Sequence, residues 1–148
     1  MKHTFAIVLA VIVLAAVGVY VFRPHPVGNG LPVTSSTPLA DEMLVLYEPL
    51  PEGGVSSPLT VRGKARGTWF FEASFPVTLT DWDGRIIAEA PAQAKGEWMT
   101  TDFVEFEVVL TFTADTSVSN RGSLILRKDN PSGLPQFDDS REITVFFR

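Results

Sequence analysis

Cysteine is absent from the 148 residues, which removes disulfide bonds, thiolate metal sites, cysteine nucleophiles and the lipidated cysteine of a lipoprotein signal. Histidine is nearly absent. The two residues, His3 and His25, both precede residue 26, so a Ser-His-Asp arrangement or a His-rich metal site is excluded from the rest of the chain by inventory. No acidic residue occurs in the first 23 positions, whereas residues 24–148 hold ten Lys and Arg against seventeen Asp and Glu, a formal net charge of −7. Such a domain repels phosphate backbones, and no nucleic-acid partner is expected. Beyond the N-terminus there is also no helical-period segment of useful length, which points to an all-β fold. The lack of disulfides leaves an extracytoplasmic address open, because a core of this size holds without a covalent staple.

What the N-terminus does have is one long apolar run. Phe5 to Phe22 are 18 residues without a charge, flanked by Lys2 and Arg23, and as a helix they span roughly 27 Å, close to the hydrocarbon thickness of a bilayer. Residues 1–23 therefore read as a membrane anchor or uncleaved signal segment, with the membrane contacted through residues 5–22. A cleavable signal peptide is the rival reading, since Ala16-Val17-Gly18 offers small residues to a peptidase. The expected location is the cell membrane, single-pass, with the C-terminal domain extracytoplasmic, or secretion if the segment is cleaved. Residues 24–41 hold four Pro, two Gly and a Thr/Ser cluster, the composition of a Pro-rich linker.

Residues 42–148 break into short β-rich runs between turn residues. Met43 to Tyr47 is the first, followed by the turn-rich stretch from Pro49 to Pro58. From Leu59 to Arg66 the chain alternates, with Leu59, Val61, Gly63 and Ala65 on one face and Thr60, Arg62, Lys64 and Arg66 on the other. Phe75 to Trp82 ends in Asp83-Gly84, suited to a type I′ hairpin turn. With Trp82 opposite Arg85, Leu79 meets Ala88 and Val77 meets Ala90, and Ile86 joins them on the apolar face, leaving Ile87 on the polar one. Val104 to Phe112 is the strongest strand and is expected to be central, with Phe106, Val108 and Leu110 inward. Gly122 to Arg127 and Glu142 to Phe147 complete about seven strands, the pattern of an immunoglobulin-like β-sandwich. In that fold the second and fifth runs are neighbours, which sets Arg62 and Lys64 beside Glu105 and Glu107.

Five local strings are more specific than a generic sandwich: Ser57-Pro58-Leu59 with Val61 and Gly63, GTWFFEASFPV (67–77), Asp83-Gly84, GEWMTTDF (96–103) and DNPSGLP (129–135). Over residues 43–148 the chain resembles the immunoglobulin-like domain of bacterial spore germination proteins, a module often found beside a sporulation and germination domain of the GerMN type. The resemblance implies a non-enzymatic, extracytoplasmic interaction module of the cell envelope with no catalytic residues to carry over; joined to the apolar run 5–22, the expectation is a membrane-tethered module linked to sporulation or germination. Its partner would be an envelope protein or, as the alternative, cell-wall polysaccharide.

Candidate chemistry is sparse. Asp81, Asp83, Glu72, Glu97, Asp138 and Asp139 could supply a pair of carboxylates for glycoside hydrolysis, but no spacing singles out a pair. Asp81-Trp82-Asp83-Gly84 opens like a calcium loop, yet Arg85, Ile86 and Ile87 add no further oxygens and turn chemistry explains both Asp83 and Gly84; a surface calcium site near Asp138 and Asp139 is the remaining metal candidate. No metal or cofactor is expected. The candidate partner contacts are aromatic and loop residues. An extended Trp69-Phe70-Phe71-Glu72 stretch must point rings to both faces, so Trp69 or Phe70, with Trp82 and Trp98, could form an apolar contact patch. The bland alternative is a tryptophan buried between sheets. Asn130 and Ser132, in the loop before the last strand, are a turn first and a contact site second.

Overall fold

The computed structural model describes residues 37–148. The expected anchor over residues 5–22, and the linker up to residue 36, lie outside the described residues. Among those described there are eight strands and no α-helix: β1 (Leu44–Glu48), β2 (Gly53–Val55), β3 (Leu59–Arg66), β4 (Ser74–Thr80), β5 (Ile86–Ala94), β6 (Phe103–Leu110), β7 (Arg121–Arg127) and β8 (Ser140–Phe147). Two single 3-10 turns, Gly67–Trp69 and Pro135–Phe137, interrupt them.

The strands form one hydrogen-bonded sheet in the order β1-β3-β6-β5-β4-β7-β8-β2, which corrects the expectation of two separate sheets. The link is β5. It pairs with β4 along its length but with β6 only through Gln93 and Ala94, so the sheet curls over at this strand and its two halves face each other. Pro91 lies in the part of β5 that has no strand on its other side, where a missing amide hydrogen leaves no ladder bond broken.

Alternation along the strands decides what enters the core. Leu59, Val61 and Ala65 of β3, Val104, Phe106, Val108 and Leu110 of β6, and Ile143, Val145 and Phe147 of β8 are all buried, each large side chain contributing about 1.5–3 kcal/mol when fully removed from water. Phe75 on β4 is the hub: its ring stands edge-on to Trp69 at 5.8 Å, Phe70 at 5.2 Å and, across the core, Phe106 at 4.9 Å. On the outer face Arg62 pairs with Glu107 and Lys64 with Glu105 in the β3–β6 register, as the charge pattern predicts. Arg62 also reaches Glu48, and Lys95 holds Glu107 at 2.8 Å. Exposed ladders of this kind fix register and contribute tenths of a kcal/mol per pair.

Three local expectations are corrected. The Pro49–Pro58 stretch, turn-rich by composition, contains β2, a three-residue strand parallel to β8, anchored by buried Val55 and too short to show a period. Residues 39–41, placed in the linker by composition, join the domain: Leu46 N donates to Leu39 O at 2.9 Å and Ala40 bridges Val45. The β4–β5 hairpin keeps the predicted pairs Leu79 with Ala88 and Val77 with Ala90, but its register slips at Thr80, which faces Ile86. Ile86 is consequently 57% exposed, and Ile87 packs against the core instead.

Asp81 causes the slip. Its buried carboxylate accepts the amides of Asp83 and Arg85, both at 3.0 Å, and the Arg85 guanidinium at 2.9 and 3.0 Å. Only Gly84 of the Asp83-Gly84 pair has positive φ, at 78°, and Gly84 N donates to Asp81 O. The connection is thus a three-residue loop with a glycine bulge, and not the type I′ turn expected. A type I′ geometry occurs elsewhere, at Glu72 (φ 49°) and Ala73 (φ 64°), between Phe71 and Ser74, whose backbones exchange both hydrogen bonds.

Candidate loop-end interaction site

Three of the five strings meet at one end of the curled sheet. Gly67 N donates to Asp102 O at 3.0 Å, Asp129 N to Trp69 O at 3.0 Å, and Ala94 N to Ala73 O at 2.8 Å. Residues 67–73, 96–102 and 129–139 therefore form one cluster of connections. The Trp82 turn lies at the other end of the β4–β5 hairpin.

Gly67 sets the geometry of the cluster. A Cβ at this position would collide with the backbone oxygens of Trp98 and Thr100, so only glycine lets the 98–101 segment sit against the 3-10 turn. That turn also breaks the alternation expected of an extended stretch. Trp69 and Phe70 both go inward, at 0% and 4% exposure, and Phe71 is the ring left outside. Trp69 and Phe70 are core residues, as the reading of a tryptophan buried between sheets has it, although Phe70 still lines the groove described next. Trp69 Nε1 is buried without a hydrogen-bond partner, and the Arg141 guanidinium lies 5.4 Å from its ring centroid.

An open groove of about 450 Å³ is lined by Gly67, Thr68, Phe70, Trp98, Met99, Thr100 and Thr101. Trp98 is half-buried against the core, and Met99 beside it is 74% exposed. The segment braces itself: Glu97 accepts the Met99 amide at 3.0 Å, Thr100 Oγ1 the Asp102 amide at 3.1 Å, and Trp98 O the Thr100 amide at 2.8 Å. Arg66 closes one side, donating to Glu42 O and Thr101 O and stacking 4.1 Å over Phe103. Met99 and Phe71 were not singled out in the sequence, although each sits inside one of the quoted strings.

The other candidates separate from this groove. Trp82 is 49% exposed but belongs to the Asp81–Arg85 turn at the far end. Asn130 donates to Leu134 O at 2.9 Å and Asp138 Oδ1 at 2.7 Å, and Ser132 Oγ donates to Asn130 Oδ1 at 2.5 Å, so both spend polar atoms on holding their own loop. Asp138 Oδ1 accepts from the Asn130 amide and Asp139 Oδ1 from the Arg141 guanidinium. A larger hollow of about 520 Å³ beside them is lined by Arg127, Lys128, Asp138, Asp139 and Ser140. Its Lys128 Nζ is held by Phe137 O, and it presents no apolar side chain, so the Trp98 groove is the better candidate for contact.

A domain built only of strands, curled around an aromatic core and carrying its connections in clusters at the two ends, is an immunoglobulin-like module. The family described as the immunoglobulin-like domain of bacterial spore germination matches residues 43–133, more than half of the chain. The chain belongs to this family. No curated protein matches it.

Proposed function

We propose that this chain is a non-enzymatic interaction module of the bacterial envelope. The apolar residues 5–22 anchor it, the Pro-rich segment carries the domain outside the cytoplasm, and the loop end docks another envelope protein during sporulation or germination. Family membership supports the module, and one observation carries the docking site: exposed Met99 beside half-buried Trp98 in an open groove. A rigid aromatic next to an adaptable thioether is a combination suited to protein contact. A polysaccharide platform, the alternative, calls for coplanar exposed aromatics. Here Trp69 is interior, and Trp82 and Trp98 lie at opposite ends, so a protein partner has the better support.

A photo-crosslinking residue placed at Met99 in cells should yield a discrete adduct that disappears in the Trp98→Ala background. The same residue at Val118, exposed at the far end, should yield none. Adducts from position 118 and none from position 99 would refute the assignment of the docking end.

A further inference from the structure

The groove's rim carries three carboxylates, Glu97, Asp102 and Glu42, against one guanidinium, that of Arg66. Glu97 and Asp102 bracket the Trp98–Thr101 segment in sequence, and Glu42 lies beside it through the Arg66 bridge to Thr101 O. All three are exposed and none takes part in an ion pair among the described residues. Glu72, at the apex of its turn, and Asp129 also have no ion pair there, and Asp138 is engaged only by the Asn130 amide.

Of the cations at this end, Lys95, Arg141 and Arg127 are paired with carboxylates, whereas Arg66 and Lys128 keep their charge on neutral partners. Arg66 is held by two carbonyl groups and Phe103, Lys95 by Glu107, Arg141 by Asp41 and Asp139, Arg127 faces Glu89, and Lys128 is held by the Phe137 carbonyl. An apolar slot whose rim holds more carboxylates than cations attracts positive charge and repels anionic polymers.

We infer that the groove between Gly67–Phe70 and Trp98–Thr101 takes a protein segment that presents an apolar side chain flanked by lysine or arginine. The apolar side chain would lie against Trp98 and Met99, with the flanking cations over Glu97, Asp102 and Glu42. This rests on the docking reading above and adds the chemistry of the partner. Because the carboxylates are exposed, their share of the attraction is screened by salt.

The test uses the full chain in a non-ionic detergent, with three synthetic peptides: Lys-Leu-Lys-Leu-Lys, Lys-Ser-Lys-Ser-Lys and Glu-Leu-Glu-Leu-Glu. The readout is the Trp98 indole N–H resonance, assigned with Trp98→Phe. Only the first peptide should move it, and its affinity should fall about fivefold in the Glu97→Gln/Asp102→Asn variant. Gln at position 97 retains an oxygen for the Met99 amide, and an unmoved Trp69 resonance reports that the variant is folded. An equal response to the acidic peptide, to the serine peptide, or in the neutralised variant overturns the charge or apolar part of the inference and leaves the docking site standing. No response at Trp98 to any of the three overturns both.

Discussion

Arg141, at the start of the last strand, donates to Asp41, one hundred residues earlier in the chain. It thereby fastens the place where the N-terminal segment joins the domain. The same guanidinium donates to Asp139 and lies over the Trp69 ring, while the other Asp41 oxygen accepts the amides of Met43 and Leu44 at 2.7 and 2.8 Å. Replacing Arg141 with Met should remove the charge-assisted bonds of this clamp and lower the unfolding free energy by about 1–3 kcal/mol. Urea denaturation of the two proteins measures it, and an unchanged midpoint would show the clamp to be energetically idle.

The clamp and the Asp81 turn also set the acid response. At Asp41, burial pushes the carboxyl up, but the hydrogen bonds from Arg141, Met43 and Leu44 and the Arg141 charge outweigh it and hold the group below the ordinary aspartate value. Asp81 is lowered in the same way: burial raises it, and the Arg85 amide and side chain, the Asp83 amide and the Arg85 charge prevail. Glu107 is lowered chiefly by its hydrogen bond from Lys95. The unfolded carboxyls titrate near about 4, so the folded state binds fewer protons than the unfolded state as pH falls into that range. Their contribution is complete above about pH 4 and disappears as pH drops through the lowered folded values. No histidine follows His25, so the neutral range lacks its usual titrating group. Urea midpoints should agree at pH 7 and 5 and fall from pH 4 to 2, with a smaller fall in Arg141→Met. A midpoint as high at pH 2 as at pH 5 would contradict this linkage.

Glu72 and Ala73 occupy consecutive left-handed positions, a conformation that an L side chain adopts at roughly 1–2 kcal/mol each. Ala73→Gly relieves one such strain and gives part of the gain back through a more flexible unfolded chain, for a net stabilisation of about 0.5–1 kcal/mol. The hydrogen bond from Ala94 N to Ala73 O involves only backbone and survives the change. Differential scanning calorimetry should show a higher melting temperature, and a lower one would mean that the methyl group packs in a way that outweighs its strain.

These positions show what was legible in the sequence. Alternation gave the inward sets of β3, β6 and β8 and the middle of the β4–β5 hairpin, because period-two burial is written residue by residue. The turns were not legible in the same way. Asp83-Gly84 has the composition of a type I′ turn, but the capture of Arg85 by Asp81 changes the loop length and moves Ile86 outward. Glu72-Ala73, with no glycine or asparagine, forms the type I′ geometry unannounced. The single curled sheet depends on two residue pairs between β5 and β6, too small a feature to leave a pattern. At the loop end, Trp69 and Phe70 are placed in the core by a 3-10 turn that periodicity does not reveal.

Gly67 offers the sharpest link between packing and function. Its missing side chain is the space into which the Trp98 and Thr100 carbonyl groups fit, and backbone atoms on both sides leave no flexible partner to move aside. Gly67→Ala should therefore push the 98–101 segment outward, at about 1–3 kcal/mol of stability, and widen the groove while leaving the aromatic hub around Phe75 in place. Iodide quenching of the double variant that carries Trp82→Phe would then report a more accessible Trp98, since Trp69 is interior and silent to the quencher. Acrylamide, which enters protein interiors better, separates this local displacement from a general loosening of the core. Equal iodide quenching with Gly and with Ala at position 67 would mean that the segment is held by its own braces at Glu97 and Thr100 and not by its fit against the 3-10 turn.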